Sequence, residues 1–277
     1  MLIVFVVNSY LETDDFFKID SDVKAIVVGD SHPECALNDS LIDNFQNFSQ
    51  SAESYFYSYL KTKKLLEHNS NIKTVYVEFN SGQIIKNIDD CTWDDIHISE
   101  KYRKYAVAAD WNDFFLLLRN NFRGTLKAQS RTVKDNFFLI QKPDRSIADY
   151  NWGAYKALTN NGASKLDSLD AIRNILDTNL IEISKTNIDY LIKLIDVCKE
   201  YDAEVVLIRS PVHEKYWGRL SEYSFQYVKH RYFKNQTFLD FIDFSLEDKQ
   251  FADAHHLNSD GALEFSTYFN EYIKKMD

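Results

Sequence analysis

Three residues of the types that together perform nucleophilic catalysis stand near the two ends of the 277-residue chain. Ser31 follows an apolar run in the stretch GDSH (residues 29–32), and Asp253 and His256, separated by two residues, lie near the other end. A serine hydroxyl attacks a carbonyl when a histidine takes its proton and an acid holds the histidine ring. Gly-Asp-Ser is also common turn chemistry, so the interpretation depends on whether the fold brings the three residues together.

The rest of the chain predicts alternating strands and helices. Apolar runs that end in turn residues are typical of strands buried on both faces. Five segments are predicted as strands, at residues 23–30, 44–49, 72–80, 203–211 and 237–245. Helical spacing of apolar residues predicts helices at residues 52–69, 100–126, 184–202, 213–235 and 259–277. This alternation favours parallel strands joined by crossover helices.

The predicted topology places the three candidate residues at one edge of the sheet. In an open parallel sheet, ligands bind in the crevice at the carboxyl ends of the strands. Ser31 lies at the carboxyl end of the first predicted strand, and Asp253 and His256 follow the last one. We therefore expect a serine, a histidine and an acid to converge there.

The segment 81–182 interrupts the alternation. We predict that it is a largely helical insertion or cap between the third and fourth strands of a single domain spanning residues 1–277. It contains Trp93, Trp111 and Trp152. Such residues most often pack in a core; the alternative is that their rings stack on a sugar or an acyl chain.

Composition and charge exclude several classes of protein. Hydrophobic residues make up 45% of the chain and aromatic residues 15%, which is typical of a globular protein rather than a disordered one. The formal net charge is −10 with no basic cluster apparent, which argues against nucleic-acid binding and against docking on anionic lipid. Cys35, Cys91 and Cys198 have the spacing of neither a disulfide framework nor a zinc site.

The apolar run LIVFVV at residues 2–7 is ambiguous. It is too short to span a bilayer, which needs about 20 residues, and it lacks the basic region and cleavage site of a signal peptide. It is interpreted either as a buried strand or helix turn, or as the end of a membrane anchor that begins upstream of Met1.

Two blocks of the sequence resemble a known superfamily. GDSH near the start and DAHHLNSDGA (residues 253–262) near the end resemble the first and last blocks of the SGNH/GDSL hydrolases. The resemblance covers roughly residues 23–80 and 184–277 and leaves out the insertion. It implies an α/β fold, a three-layer α/β/α arrangement around a mostly parallel, flavodoxin-like five-stranded sheet.

The resemblance also implies roles for individual residues. Ser31 matches the nucleophile, His256 the general base and Asp253 the acid that orients it. The oxyanion hole would be formed by the backbone N–H groups of Ser31 and Ala52 and by the Asn80 side chain. Ala52 stands where the family has a glycine, and Asn80 lacks the surrounding Gly-x-Asn-Asp motif.

Four neighbouring residues have alternative interpretations. His255 adjoins the proposed base, but only His256 has the i, i+3 spacing to the acid. His32 either lines the cleft or is a packed or solvent-facing histidine. Arg209 and His213, at the end of the fourth predicted strand, either meet an anionic group of the substrate or form surface ion pairs.

These observations predict a serine esterase that cleaves O-acyl esters of small molecules or carbohydrates through the Ser31–His256–Asp253 triad. No metal or organic cofactor is implied. Two alternatives stay open: an O-acetyltransferase of the cell envelope that modifies surface polysaccharide, and a non-catalytic carbohydrate-binding protein on the same fold.

Overall fold

A computed structural model of the chain describes residues 15–142, 144–160, 162 and 182–276. The apolar run at residues 2–7 lies outside these ranges, so its interpretation stays a prediction. Cys35, Cys91 and Cys198 are all free thiols.

A five-stranded sheet in which every neighbouring pair is parallel forms the centre of the molecule. Its strands, one within each predicted segment, are β1 (Ala25–Val28), β2 (Phe45–Asn47), β3 (Thr74–Glu78), β4 (Glu204–Arg209) and β5 (Thr237–Asp240). Their spatial order is β2-β1-β3-β4-β5. The predicted flavodoxin-like parallel sheet is therefore confirmed.

Helices cover both faces of the sheet, as expected for three layers. The α-helices are α1 (Ser31–Ala36), α2 (Tyr55–His68), α3 (Ser81–Ile84), α4 (Asp90–Trp93), α5 (Asp95–His97), α6 (Arg103–Tyr105), α7 (Trp111–Asn120), α8 (Phe122–Ile140), α9 (Lys185–Glu200), α10 (Glu222–Tyr232) and α11 (Ser259–Ile273). A π-helical turn spans Ile98–Tyr102. Short 3₁₀ turns lie at Asp15–Phe17, Asp39–Leu41, Lys86–Asp89, Ile147–Tyr150, Trp217–Ser221 and Asp248–Gln250.

Alternate residues of each strand pack into two separate cores. On one face, Val75 and Val77 of β3 join a core with α2 and α9. On the other face, Tyr76 packs with residues of α11 such as Phe269. Because both faces are covered, the sequence of β1, β3 and β4 shows continuous apolar runs rather than alternation.

Two predicted helices have different bounds in the structure. The predicted helix at 100–126 is several helices, because the side chains of Asp110 and Asn121 cap new helices at Trp111 and Phe122. The predicted helix at 213–235 is reduced to α10, preceded by a 3₁₀ turn. Side-chain caps of this kind end one helix and start another within a single amphipathic stretch.

The turn after β1 lies at the switch point of the sheet. β1 pairs with β2 on one side and with β3 on the other, so the connections leaving β1 and β3 diverge and open a crevice at their carboxyl ends. Gly29, with φ of +155°, begins this turn. A Cβ atom at this position would lie 2.5 Å from the Cβ of Glu78.

We expect the substitution Gly29→Ala to lower the free energy of unfolding by more than about 2 kcal/mol, because both the backbone angle and the close approach to β3 exclude a side chain. Urea denaturation measures the change. The matched control is Gly82→Ala in α3, where the nearest atom to a new Cβ is 3.1 Å away and a change within about 1 kcal/mol is expected. Equal effects of the two substitutions would contradict this account.

Candidate active site

Ser31 is the first residue of α1, directly after the turn that ends β1. The Asp30 side chain caps this helix by accepting a hydrogen bond from the backbone N–H of His32 at 2.9 Å. The first N–H groups of a helix have no acceptor within the helix. The turn therefore presents the Ser31 hydroxyl and a backbone donor at the same point of the sheet edge.

Asp253 and His256 lie in a short loop between β5 and α11 that is held by backbone hydrogen bonds. The N–H of Ala252 donates to the carbonyl of His256 at 2.9 Å, and the N–H of His213 donates to the carbonyl of Ala254 at 3.1 Å. The Asp253 carboxylate accepts from the backbone N–H groups of residues 255 and 256. These contacts fix the acid and the imidazole relative to each other before any substrate binds.

The structure brings the three predicted residues together. His256 Nε2 lies 2.8 Å from Ser31 Oγ, although the two residues are 225 positions apart. His256 Nδ1 lies 2.9 and 3.0 Å from the two carboxylate oxygens of Asp253. An ionised carboxylate only accepts hydrogen bonds, so Nδ1 carries the hydrogen and Nε2 accepts the hydroxyl proton of Ser31. This arrangement allows proton transfer from serine to histidine.

The acid remains ionised over the whole physiological pH range. Burial by itself would raise the pKa of Asp253, but the hydrogen bond and charge of His256, with the backbone N–H of His255, lower this pKa from 3.8 to about 2. An ionised Asp253 stabilises the imidazolium that forms when His256 takes a proton.

His255, next to His256 in the chain, has different contacts in the structure. Its ring stacks on the ring of His256 with a centroid distance of 5.7 Å and contacts Tyr216. Burial and the neighbouring His32 and His256 lower the pKa of His255 from 6.5 to about 4, so it is neutral at pH 7. His256, which the i, i+3 spacing favoured, is the histidine that contacts both Ser31 and Asp253.

A fully buried carboxylate, Glu78 at the end of β3, lies beneath the nucleophile turn. It accepts hydrogen bonds from the backbone N–H of Ser210 and, at 2.6 Å, from the Ser210 hydroxyl. The amide of Asn80 donates to it at 3.2 Å, and His32 Nδ1 lies 3.7 Å away. The ends of β1, β3 and β4 are therefore joined through one carboxylate.

Asn80 does not have the predicted oxyanion role. Its Nδ2 atom donates to Asp30 Oδ2 at 3.0 Å and to Glu78 Oε1 at 3.2 Å, and it lies 2.9 Å from His32 Nδ1. Its Oδ1 atom accepts from the backbone N–H of Gln83 and so fixes which way the amide points. An amide nitrogen has two hydrogens, and acceptors inside the protein occupy both. Asn80 therefore positions the residues around Ser31.

His32 is a packed histidine rather than an open wall of the cleft, since only 5% of its surface is exposed. Its ring lies edge-on to that of Tyr216, with a centroid distance of 5.5 Å, and 5.9 Å from the ring of His256. His32 is therefore a packed histidine, one of the alternatives that the sequence left open.

Ala52 lies in the loop after β2, beside the nucleophile turn. The pairing of β2 with β1 continues beyond the strands, with the N–H of Gln50 donating to the carbonyl of Gly29 at 3.0 Å. Ala52 has φ of +52°, a conformation that glycine adopts most easily. Its backbone N–H makes no hydrogen bond to a described residue.

Buried charges support this loop from behind. Glu53 and Lys61 are both fully buried, and Lys61 Nζ lies 2.8 Å from Glu53 Oε1. The Tyr105 hydroxyl donates to Glu53 Oε2 at 2.6 Å, and Lys101 Nζ donates to the carbonyl of Ser51 at 2.7 Å. Burial lowers the pKa of Lys101 to about 8. The sequence did not indicate these residues, because residue type alone does not distinguish a buried charged side chain from a solvent-exposed one.

Residues 151–160, here called the strap, are a part of the predicted insertion that contacts α1 and α11. The strap contacts the loop after β2, where Gln50 Nε2 donates to the carbonyl of Asn151. It then contacts α1, where the N–H of Lys156 donates to the carbonyl of Glu34 at 2.7 Å. Further on, the N–H of Ser259 donates to the carbonyl of Leu158. The strap thus joins α1 to α11.

Arg209 and His213 do not take the predicted substrate-binding role. The buried Arg209 guanidinium is bound by two partly exposed carboxylates, Asp240 at 2.6 Å and Glu222 at 2.8 Å. His213 Nε2 lies 3.2 Å from Asp248, and its Nδ1 accepts the backbone N–H of residue 215. Both side chains are held by the protein itself.

A metal-binding cluster and a membrane-spanning helix are both absent from the described ranges. No group of three or more His, Cys, Asp or Glu side chains there could hold a metal ion. No helix among the same residues has the length and apolarity needed to cross a bilayer. The tryptophans of the insertion differ in exposure, since Trp152 is buried in the core and Trp111 is 47% exposed.

A comparison with protein-family models finds a match over residues 113–276, more than half of the chain. The chain belongs to this family. The family is uncharacterised and assigns no activity. A comparison with curated proteins finds no match. The matched region contains Asp253 and His256 but not Ser31.

We expect Ala52→Gly to raise the free energy of unfolding by up to about 1 kcal/mol, because glycine relieves the left-handed strain and still offers a backbone N–H. Urea denaturation measures this, with Ala262→Gly in α11 as the control, where about 1 kcal/mol should be lost. A loss of the same size at Ala52 would show that its conformation is not strained.

We expect Asp253 to stabilise the fold above about pH 4, its ordinary pKa, and to lose that contribution as the pH falls through its folded pKa of about 2. The side chain is 39% exposed, so solvent screening keeps the effect below about 1 kcal/mol. Urea midpoints of the native protein and Asp253→Asn from pH 6 to pH 2 should converge towards low pH. A constant difference would contradict the assigned pairing.

Proposed function

We propose that this protein is a serine esterase that cleaves O-acyl esters through Ser31, His256 and Asp253. The single observation that carries the proposal is the chain of contacts from Ser31 Oγ to His256 Nε2 and from His256 Nδ1 to Asp253. The resemblance of the GDSH and DAHHLNSDGA blocks to SGNH/GDSL hydrolases supports the same conclusion. It also favours small O-acyl groups on carbohydrates as substrates.

In the proposed reaction, Ser31 Oγ attacks the ester carbonyl while His256 Nε2 takes its proton. The negative charge that develops on the carbonyl oxygen is stabilised by the backbone N–H groups of Ser31 and Ala52. His256 then protonates the departing alkoxide, which leaves an acyl group on Ser31. A water molecule, deprotonated by the same imidazole, releases the acid and restores the serine.

We expect Ser31→Ala to lower kcat for p-nitrophenyl acetate hydrolysis by on the order of 1,000-fold or more, because the nucleophile is lost. His256→Ala should reduce the rate similarly, since the two residues act as one unit. Ser40→Ala, an exposed serine of the turn at Asp39–Leu41, is the matched control and should leave the rate unchanged. An Ser31→Ala protein that is folded and retains the native rate would overturn the proposal.

The same assay distinguishes the alternatives. With an oligosaccharide acceptor present, acetyl transfer that exceeds hydrolysis and requires Ser31 would identify an acyltransferase, in which the acceptor hydroxyl replaces water. Absence of both reactions, combined with binding of the oligosaccharide, would identify a non-catalytic carbohydrate-binding protein.

A further inference from the structure

The outer surface of α8 exposes large apolar side chains. Phe122 is 60% exposed, Leu126 45% and Phe137 56%. At 3.6 residues per turn, these three side chains fall within a sector of roughly 60°. They therefore form one stripe along the helix, which we call the apolar stripe.

The inner face of the same helix is unusually polar. Its buried residues are Thr125, Ala128, Gln129, Thr132 and Asn136. The Tyr102 hydroxyl donates to Gln129 at 2.7 Å, and the Tyr150 hydroxyl donates to Asn136 at 3.0 Å. A surface helix normally buries its apolar side and exposes its polar side. In α8 most of the buried side chains are polar, while three large apolar side chains are exposed.

A row of basic side chains flanks the apolar stripe. Arg123, Lys127 and Lys134 are exposed, and helical geometry places them in the adjoining sector of roughly 40°. None of the three forms an ion pair with a carboxylate in the part of the chain that the structure describes. The chain as a whole carries a net charge of −10, so this basic row is a local departure from the overall charge.

We propose that the outer face of α8 docks on an anionic lipid surface. The apolar stripe would enter the boundary of the acyl chains, and Arg123, Lys127 and Lys134 would contact lipid phosphates. A second copy of the chain fits less well. In a two-fold symmetric contact that pairs two copies of α8 antiparallel, the apolar stripes would meet with both basic rows on the same side, where they would repel. Charge complementarity thus favours an anionic membrane surface.

Sedimentation with vesicles tests the proposal on the native protein. Binding is expected to vesicles of phosphatidylcholine with about one-third phosphatidylglycerol, and much less to phosphatidylcholine alone. Since each basic side chain near an anionic surface changes the partition coefficient by roughly fivefold, Arg123→Gln/Lys127→Gln/Lys134→Gln should weaken binding by on the order of 100-fold. Phe122→Ser/Phe137→Ser should also abolish most of it.

Two matched controls make the result specific. Lys185→Gln/Lys199→Gln/Lys234→Gln removes the same charge from other exposed positions, and Leu263→Ser removes an apolar side chain that is 53% exposed on α11. Both should bind like the native protein. The proposal is overturned if the native protein does not sediment with anionic vesicles at low salt or if the controls lose binding equally. It is also overturned if the stripe variants only convert a dimer to a monomer.

Discussion

The buried carboxylate of Glu78 is the constraint on which the candidate site depends. A charge without access to water is tolerated only when donors surround it, and here Ser210 and Asn80 supply them from the ends of neighbouring segments. Gly29 must lack a side chain, because a Cβ atom there would lie 2.5 Å from the Cβ of Glu78 on the neighbouring strand. Satisfying this one carboxylate therefore fixes the ends of three strands and the turn that begins α1. Ser31 is positioned by that arrangement.

Much of the fold could be predicted from the sequence because it depends on local patterns. The apolar runs of β1, β3 and β4 are continuous since both faces of the sheet are covered. Parallel strands present their carboxyl ends at the same edge of a sheet. This rule placed Ser31 and His256 at one edge without any knowledge of side-chain contacts. The distance between Ser31 Oγ and His256 Nε2 agrees with that prediction.

The errors concern residues whose partners are distant in sequence. Asn80 was predicted to be an oxyanion donor, but its amide also contacts Asp30 and His32, which lie 50 and 48 residues earlier in the chain, and sequence spacing carries no information about that contact. Arg209 was misjudged in the same way, because its partners Asp240 and Glu222 come from β5 and α10. The strap has no periodicity, so its course beside α1 could not be anticipated.

The central claim is that Ser31 is a nucleophile activated by His256. The most direct measurement is covalent labelling with a fluorophosphonate, followed by intact-mass analysis and peptide mapping. The account predicts a single adduct on Ser31 in the native protein and labelling slowed by orders of magnitude in His256→Ala, while His255→Ala is labelled at a rate close to the native one. An unlabelled Ser31, or equal labelling rates in the native protein and His256→Ala, would contradict it.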